Sequence, residues 1–289
     1  MTDKTISVRS PKELWLETEC LVRGSESLMN MAIQSASQTK KWNMADIKWT
    51  PTLTTSCVKE VFIWDCDAVS AAIKESSSSG PGILLVNFAS NRRPGGGYQG
   101  GAQAQEEDIC RRTTLPFAID PALGLQADQS FYPLNEHADL ACGLVSPGVQ
   151  ILWDGSSRQY RLLEPTPSIV VLTVPGYNPA SYIDKDCFLP PGSGRSRLYT
   201  AEGRARAKKR IGLQLAIANQ YGLACLITGA IGCGVFRNDP AEVASLFREV
   251  IDEAPAEGTC RRVIFAIPHS NSNNNLSEFE RVLGIQRSQ

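Results

Sequence analysis

Five short apolar runs recur along the chain without alternating with polar residues. They are GILLVNFA (82–89), VQILW (149–153), SIVVLTVPGY (168–177), ACLITGAI (224–231) and RVIFAIPH (262–269). A strand with one face in water alternates, whereas a strand covered on both faces does not. Each run is therefore predicted to be a strand with helices packed above and below it. The segments between them supply helices. Gly203–Tyr221 carries Ala207, Ile211, Leu215 and Ala218 on one stripe and is stopped by Gly222. Asp239-Pro240 opens another helix, with Glu242 placed to complete a capping box. Residues 10–42 read as helical, opened by Ser10-Pro11 and carrying Leu14, Leu21, Leu28 and Met31. Strands alternating with helices imply an α/β three-layer sandwich. KESSSSGPG (74–82) is expected to be a loop rather than a domain boundary, because a strand follows at once. Residues 116–165, punctuated by Pro and Gly, are expected to be irregular insertions over the sheet.

The composition narrows the class. The 289 residues suffice for a sizeable core, and 42% hydrophobic with 20% charged is ordinary for a globular protein. A formal net charge of −1 argues against a duplex-binding protein. The basic run RARAKKR (204–210) reads as the solvated face of a helix. No apolar run approaches the ~18 residues of a membrane span, and MTDKTISVRSPKELW has no signal-peptide core. Nine scattered cysteines without a C-x-x-C point to a reducing compartment, cytoplasm or nucleus. With two histidines and no ligand cluster, no metal is expected.

Two of the predicted strands run directly into glycine-rich loops. The first, PGGGYQGGAQ, holds five glycines in ten residues and leads into QEEDICRRTTL, a helix start with acids in its first turn. The second is GAIGCGVF (229–236). In open α/β sheets ligands sit beyond the carboxyl ends of strands, and glycine loops there can offer backbone N–H groups to an anion. A diphosphate held between the two loops is the expectation. Neither the dinucleotide fingerprint nor a P-loop is present.

NFASNRRPGGGYQGGAQAQEEDICRRTTL resembles the signature of the poly(ADP-ribose) glycohydrolases: three glycines, Gly95-Gly96-Gly97, a spacer of seven residues, then Gln105-Glu106-Glu107. The spacing and the NFAS lead-in are most similar to the microbial type. GLVSPGVQILWD, VLTVPGYN, GAIGCGVFRNDPAEVA and VIFAIPHS extend the resemblance over most of residues 10–285, while 116–165 is longer and less regular than the compact microbial form. The resemblance implies a macrodomain-like three-layer α/β/α sandwich with a mixed sheet. It implies an N-terminal helical extension over 1–50 and a glycohydrolase domain over 51–289.

The implied activity is hydrolysis of ribose–ribose bonds in poly(ADP-ribose), releasing ADP-ribose, without cofactor or metal. Such bonds break through an oxocarbenium-like state that needs an acid and then a base, and one carboxyl can serve in turn. Glu107 is implied as that acid/base, with Glu106 on ribose hydroxyls. Neighbours on a helix diverge by roughly 100°, so two roles are expected for the two acids. The implied contacts are Asn87, Ser90, Gly95, Gly96, Gly97 and Gln105 around the ribose and phosphate, and Gly232, Cys233, Gly234, Val235 and Phe236 around the diphosphate and terminal ribose. Asp65 and Asp67 are weaker candidates for the adenine, and His269 reads as structural. Poly(ADP-ribose), ADP-ribose and poly(ADP-ribosyl)ated proteins are the implied partners of a monomer acting in ADP-ribosylation and the DNA damage response. A reader module that binds ADP-ribose without cleaving it, or a hydrolase of mono-ADP-ribosylated protein, are the alternatives. The paired acids favour catalysis on polymer.

Overall fold

The computed structural model describes residues 7–49, 56–77, 82–125, 131–155, 159–192 and 196–287. In chain order these form β1 (Ser7–Val8), α1 (Pro11–Gly24), α2 (Glu26–Gln38), β2 (Lys40–Asn43), β3 (Glu60–Trp64), α3 (Ala68–Ser77), β4 (Ile83–Ala89), α4 (Gln105–Arg112) and α5 (Leu115–Ile119). There follow β5 (Cys142–Gln150), β6 (Trp153–Asp154), β7 (Gln159–Leu162), β8 (Ser168–Pro175), α6 (Ala201–Gln220), β9 (Cys225–Thr228), α7 (Pro240–Asp252), β10 (Arg262–Ala266) and α8 (Asn275–Leu283). Seven strands make one sheet in the order β2-β5-β8-β4-β9-β10-β3, and β1, β7 and β6 form a small second one. The run from β8 to β3 is parallel, whereas β5 is antiparallel to both β8 and β2, so the sheet is mixed.

The absence of alternation in the apolar runs has the expected cause. In β4, Ile83 and Leu85 pack among the residues of α1 to α5, while Leu84 and Val86 pack among those of α6, α7 and α8. Two cores lie on opposite faces of one sheet, which is the macrodomain-like α/β/α arrangement. α6 begins at the Thr200 cap, whose hydroxyl accepts from the Gly203 N–H, and ends before Gly222 at φ 67°.

Three expectations need correction. Residues 10–42 are not one helix. Ser25 ends α1 and caps α2, its side chain accepting from Leu28 N–H, and Lys40–Asn43 leaves the helix to pair with β5. Residues 116–165 are not insertions over the sheet. Cys142–Gln150 is an interior strand, disguised by Pro147-Gly148, where the register shifts and Gly148 adopts φ 74°. Asp239 does cap α7, but the Glu242 carboxylate turns away from the cap to the Tyr199 N–H at 2.9 Å. β3 carries no signal in the sequence reading; it takes the edge beside β10. Of the 74–82 stretch, residues 78–81 lie outside the described residues, as do 126–130 and 156–158 of the 116–165 segment. Among the described residues no helix is long and apolar enough to cross a membrane.

Candidate active site

α4 starts beyond the carboxyl end of β4, and the glycine-rich loop between them folds back over its first turn. The loop wraps Tyr98, which is buried; its hydroxyl donates to Asp120 at 2.8 Å and its ring meets Trp15 edge-on at 4.6 Å. Gly95 lies so close over this ring that a Cβ would come within 2.6 Å of it. The far end of α4 holds the loop's other side. Arg111 donates to the Tyr98 and Ala102 carbonyls at 3.3 and 2.7 Å.

Glu106 and Glu107 diverge, as helix geometry requires, and both carboxyls return to Gly96. A Cβ on Gly96 would lie 2.5 Å from Glu107 Oε1 and 2.9 Å from Glu106 Oε2. Glu107 Oε1 accepts from Gly97 N–H at 2.9 Å and its Oε2 from Ala104 N–H at 3.1 Å. Glu106 turns to β4, where Oε2 accepts from Ser90 N–H at 2.6 Å. Its Oε1 is buried and takes no hydrogen bond among the described residues. Burial pushes the Glu106 carboxyl up to about 8, and the Glu107 charge adds to this against the Ser90 N–H, so Glu106 is largely protonated at neutral pH.

Arg112, 1% exposed, anchors α4 from behind. It pairs with Asp67 at 2.7 Å and Asp108 at 2.9 Å and donates to the Trp153 carbonyl. Asp67 also caps α3 through Ser70 N–H, so it is part of this buried anchor. Asp65 accepts from the His269 N–H at 2.6 Å and pairs with Arg287. The sequence reading missed the arginines, although the i,i+4 spacing of Asp108 and Arg112 was a usable signal.

The remaining candidates fall into distinct positions. Asn87 is fully buried in β4; its amide donates to Thr173 at 3.3 Å and its Oδ1 takes no hydrogen bond among the described residues. Both ends of the Gln105 amide are engaged by the β4 backbone, accepting from Phe88 N–H and donating to the Val86 carbonyl. It seats α4 on the strand. The Ser90 hydroxyl accepts from the Arg92 and Arg93 N–H groups and so shapes the loop.

The two loops do not offer their backbones alike, which corrects the expectation of a diphosphate wrapped by both. In the first, Gly96 N–H goes to the Arg93 carbonyl, Gly97 N–H to Glu107 and Tyr98 N–H to the Gly95 carbonyl. The Gly97 donor serves Glu107, and the other two close turns within the loop. In the second, no described residue accepts from the N–H groups of Gly232, Gly234, Val235 or Phe236. Gly232, at φ 77°, sits where a Cβ would strike the Asn238 amide at 2.1 Å, and Asn238 N–H closes the loop on the Gly232 carbonyl. Cys233 is buried, and burial pushes its thiol up, so it is no nucleophile. Val235 is exposed and Phe236 half-buried.

A mixed-sheet α/β/α sandwich with an acid pair against one glycine loop and free N–H groups on another defines a macrodomain-like enzyme. Residues 19–150 match the model of the microbial-type PARG catalytic domain. The fold is similar to that of poly(ADP-ribose) glycohydrolase from Thermomonospora curvata, with TM-score 0.73, 25% identity and coverage of 94% of this chain and 98% of that one. The same enzyme bound to the inhibitor ADP-HPD gives 0.72 at 26% identity, covering 94% and 98%. The Deinococcus radiodurans enzyme in complex with ADP-ribose gives 0.68 at 26% identity, covering 88% and 97%. No curated protein sequence matches the chain. Over residues 19–150 in sequence, and in its fold, the chain is similar to the microbial-type poly(ADP-ribose) glycohydrolases.

Proposed function

We propose that the chain hydrolyses the ribose–ribose bonds of poly(ADP-ribose) and releases ADP-ribose. The observation that carries this is the placement of the Glu106 and Glu107 carboxyls together against the bare Cα of Gly96, beyond the end of β4. The free N–H groups of Gly232, Gly234, Val235 and Phe236 suit the diphosphate of the terminal unit. The unmatched Glu106 Oε1 and Asn87 Oδ1 suit ribose hydroxyls, which can donate to both.

In this reading Glu107 protonates the leaving ribose oxygen as the anomeric C–O bond breaks. Water then attacks the oxocarbenium carbon and its proton returns to Glu107. Glu106 holds the neighbouring hydroxyls. One observation favours a second assignment: burial leaves the proton on Glu106 in the free protein, so Glu106 would be the donor if it reaches the leaving oxygen. Incubation with defined poly(ADP-ribose), with products read by chromatography, tests the activity. Glu107→Gln should lower turnover by about 10²–10⁴ while ADP-ribose still binds. A larger loss in Glu106→Gln would exchange the two roles. Binding of ADP-ribose without any cleavage would make the chain a reader instead.

A further inference from the structure

A cleft of 670 Å³ adjoins the first glycine loop and is used by nothing in the mechanism above. Clefts that hold small molecules run about 300–1,000 Å³. Arg92 and Pro94 of the loop form one wall, and Asp120, Tyr132, Pro133 and Glu136 belong to the segments before β5. Two of its lining residues connect it to the loop against which the acid pair lies. Asp120 holds the Tyr98 hydroxyl over which Gly95 folds. Pro94, on the cleft wall, directly precedes Gly95 and Gly96, the glycine against which both carboxyls lie.

Resting on the glycohydrolase reading, we infer that this cleft takes the nucleotide unit on the far side of the bond being cut, the penultimate ADP-ribose of the polymer. The terminal unit reaches from the second loop to the acid pair. Whatever is joined to it at the reacting carbon must continue past the first loop, where the cleft lies. Its chemistry fits a nucleotide. Arg92 pairs with no carboxylate among the described residues and can meet a phosphate. Tyr132 and Pro133 offer apolar faces to a base, and stacking on an aromatic ring tolerates any base. Glu136 is exposed and can accept from ribose hydroxyls or an exocyclic amine. Asp120 and Glu136 are repulsive to phosphate, so the phosphates belong at the Arg92 end.

The test compares free ADP-ribose, which fills only the terminal position, with a purified two-unit ADP-ribose oligomer. Arg92→Glu removes the phosphate partner. Ala122→Trp obstructs the cleft from an exposed position and keeps the backbone N–H that donates to Asp120. Each variant should raise KM for the two-unit substrate about tenfold, Arg92→Glu by losing a charge-assisted contact and Ala122→Trp by filling the cleft. The dissociation constant of ADP-ribose should change by less than about twofold. An unchanged KM in both variants, with turnover intact, overturns the cleft assignment alone. KM and ADP-ribose affinity changing together would place the terminal unit in the cleft and overturn it too. A native chain that turns over neither oligomer nor polymer removes the parent reading, and the inference with it.

Discussion

The two glycine loops look interchangeable in composition and are opposite in use. In the first, the N–H groups of Gly96, Gly97 and Tyr98 point back into the protein, and Gly96 is bare so that two carboxyls can approach its backbone. In the second, four N–H groups have no acceptor among the described residues, and the loop is held by Asn238 from behind. One loop positions acids and the other is free to meet an anion. A count of glycines says that a backbone must come close to something; it does not say whether that is the protein's own side chain or a ligand.

Substitutions can break or sharpen this contrast. The largest effect is expected at the anchor of the first loop's helix. Arg112→Met removes a buried cation and leaves the half-buried Asp67 and Asp108 without their partner, and should cost about 3 kcal/mol in unfolding free energy, read by denaturant titration. A loss under ~1 kcal/mol would mean that α4 is held elsewhere. Gly96→Ala comes next. The added methyl meets Glu107 Oε1 at 2.5 Å in a left-handed backbone, so the acids must move, and turnover should fall about a hundredfold. Turnover within a few-fold of native would show that the acids tolerate displacement.

Glu106→Gln sharpens the contrast through pH. The carboxyl ordinarily titrates at 4.5 and is raised to about 8 in the folded protein. Between these values the folded state holds a proton that the unfolded state has released, so this group's contribution to stability is full below 4.5 and is lost as pH rises through 8. The variant's melting temperature relative to native should therefore climb by several degrees from pH 5 to pH 8.5. A constant difference would place the proton elsewhere.

The second loop should respond more gently, and unevenly. Gly232→Ala forces a left-handed alanine against Asn238 and should cost about 1–2 kcal/mol and weaken ADP-ribose. Gly234 has open space around a Cβ, so Gly234→Ala should leave stability within ~0.5 kcal/mol. Equal effects at the two positions, measured by melting with and without ADP-ribose, would contradict the geometry of this loop.

Most of the strand set was legible because two-sided burial leaves a continuous apolar run, as in Leu84, Leu85 and Val86. The cap at Asp239 and the stop at Gly222 were legible because their chemistry is local. The interior strand Cys142–Gln150 was not, because Pro147-Gly148 reads as a turn, and only pairing with β2 and β8 makes it a bulge. The break at Ser25 was missed because a serine can sit inside a helix or cap one, and packing decides which.

The amino-acid sequence alone determined the alternation of strands and helices, the two glycine loops at strand ends and the pairing of Glu106 with Glu107. These depend on neighbours within a few positions, where propensity and spacing act directly. Tertiary structure alone decided that Gln105 seats α4 on β4, that Arg112 binds Asp67 as well as Asp108, and that burial leaves the proton on Glu106. It also decided which loop keeps its N–H groups free. Hydrogen-bond direction and desolvation are set by atoms far apart in the chain, and residue order alone does not specify which of them meet.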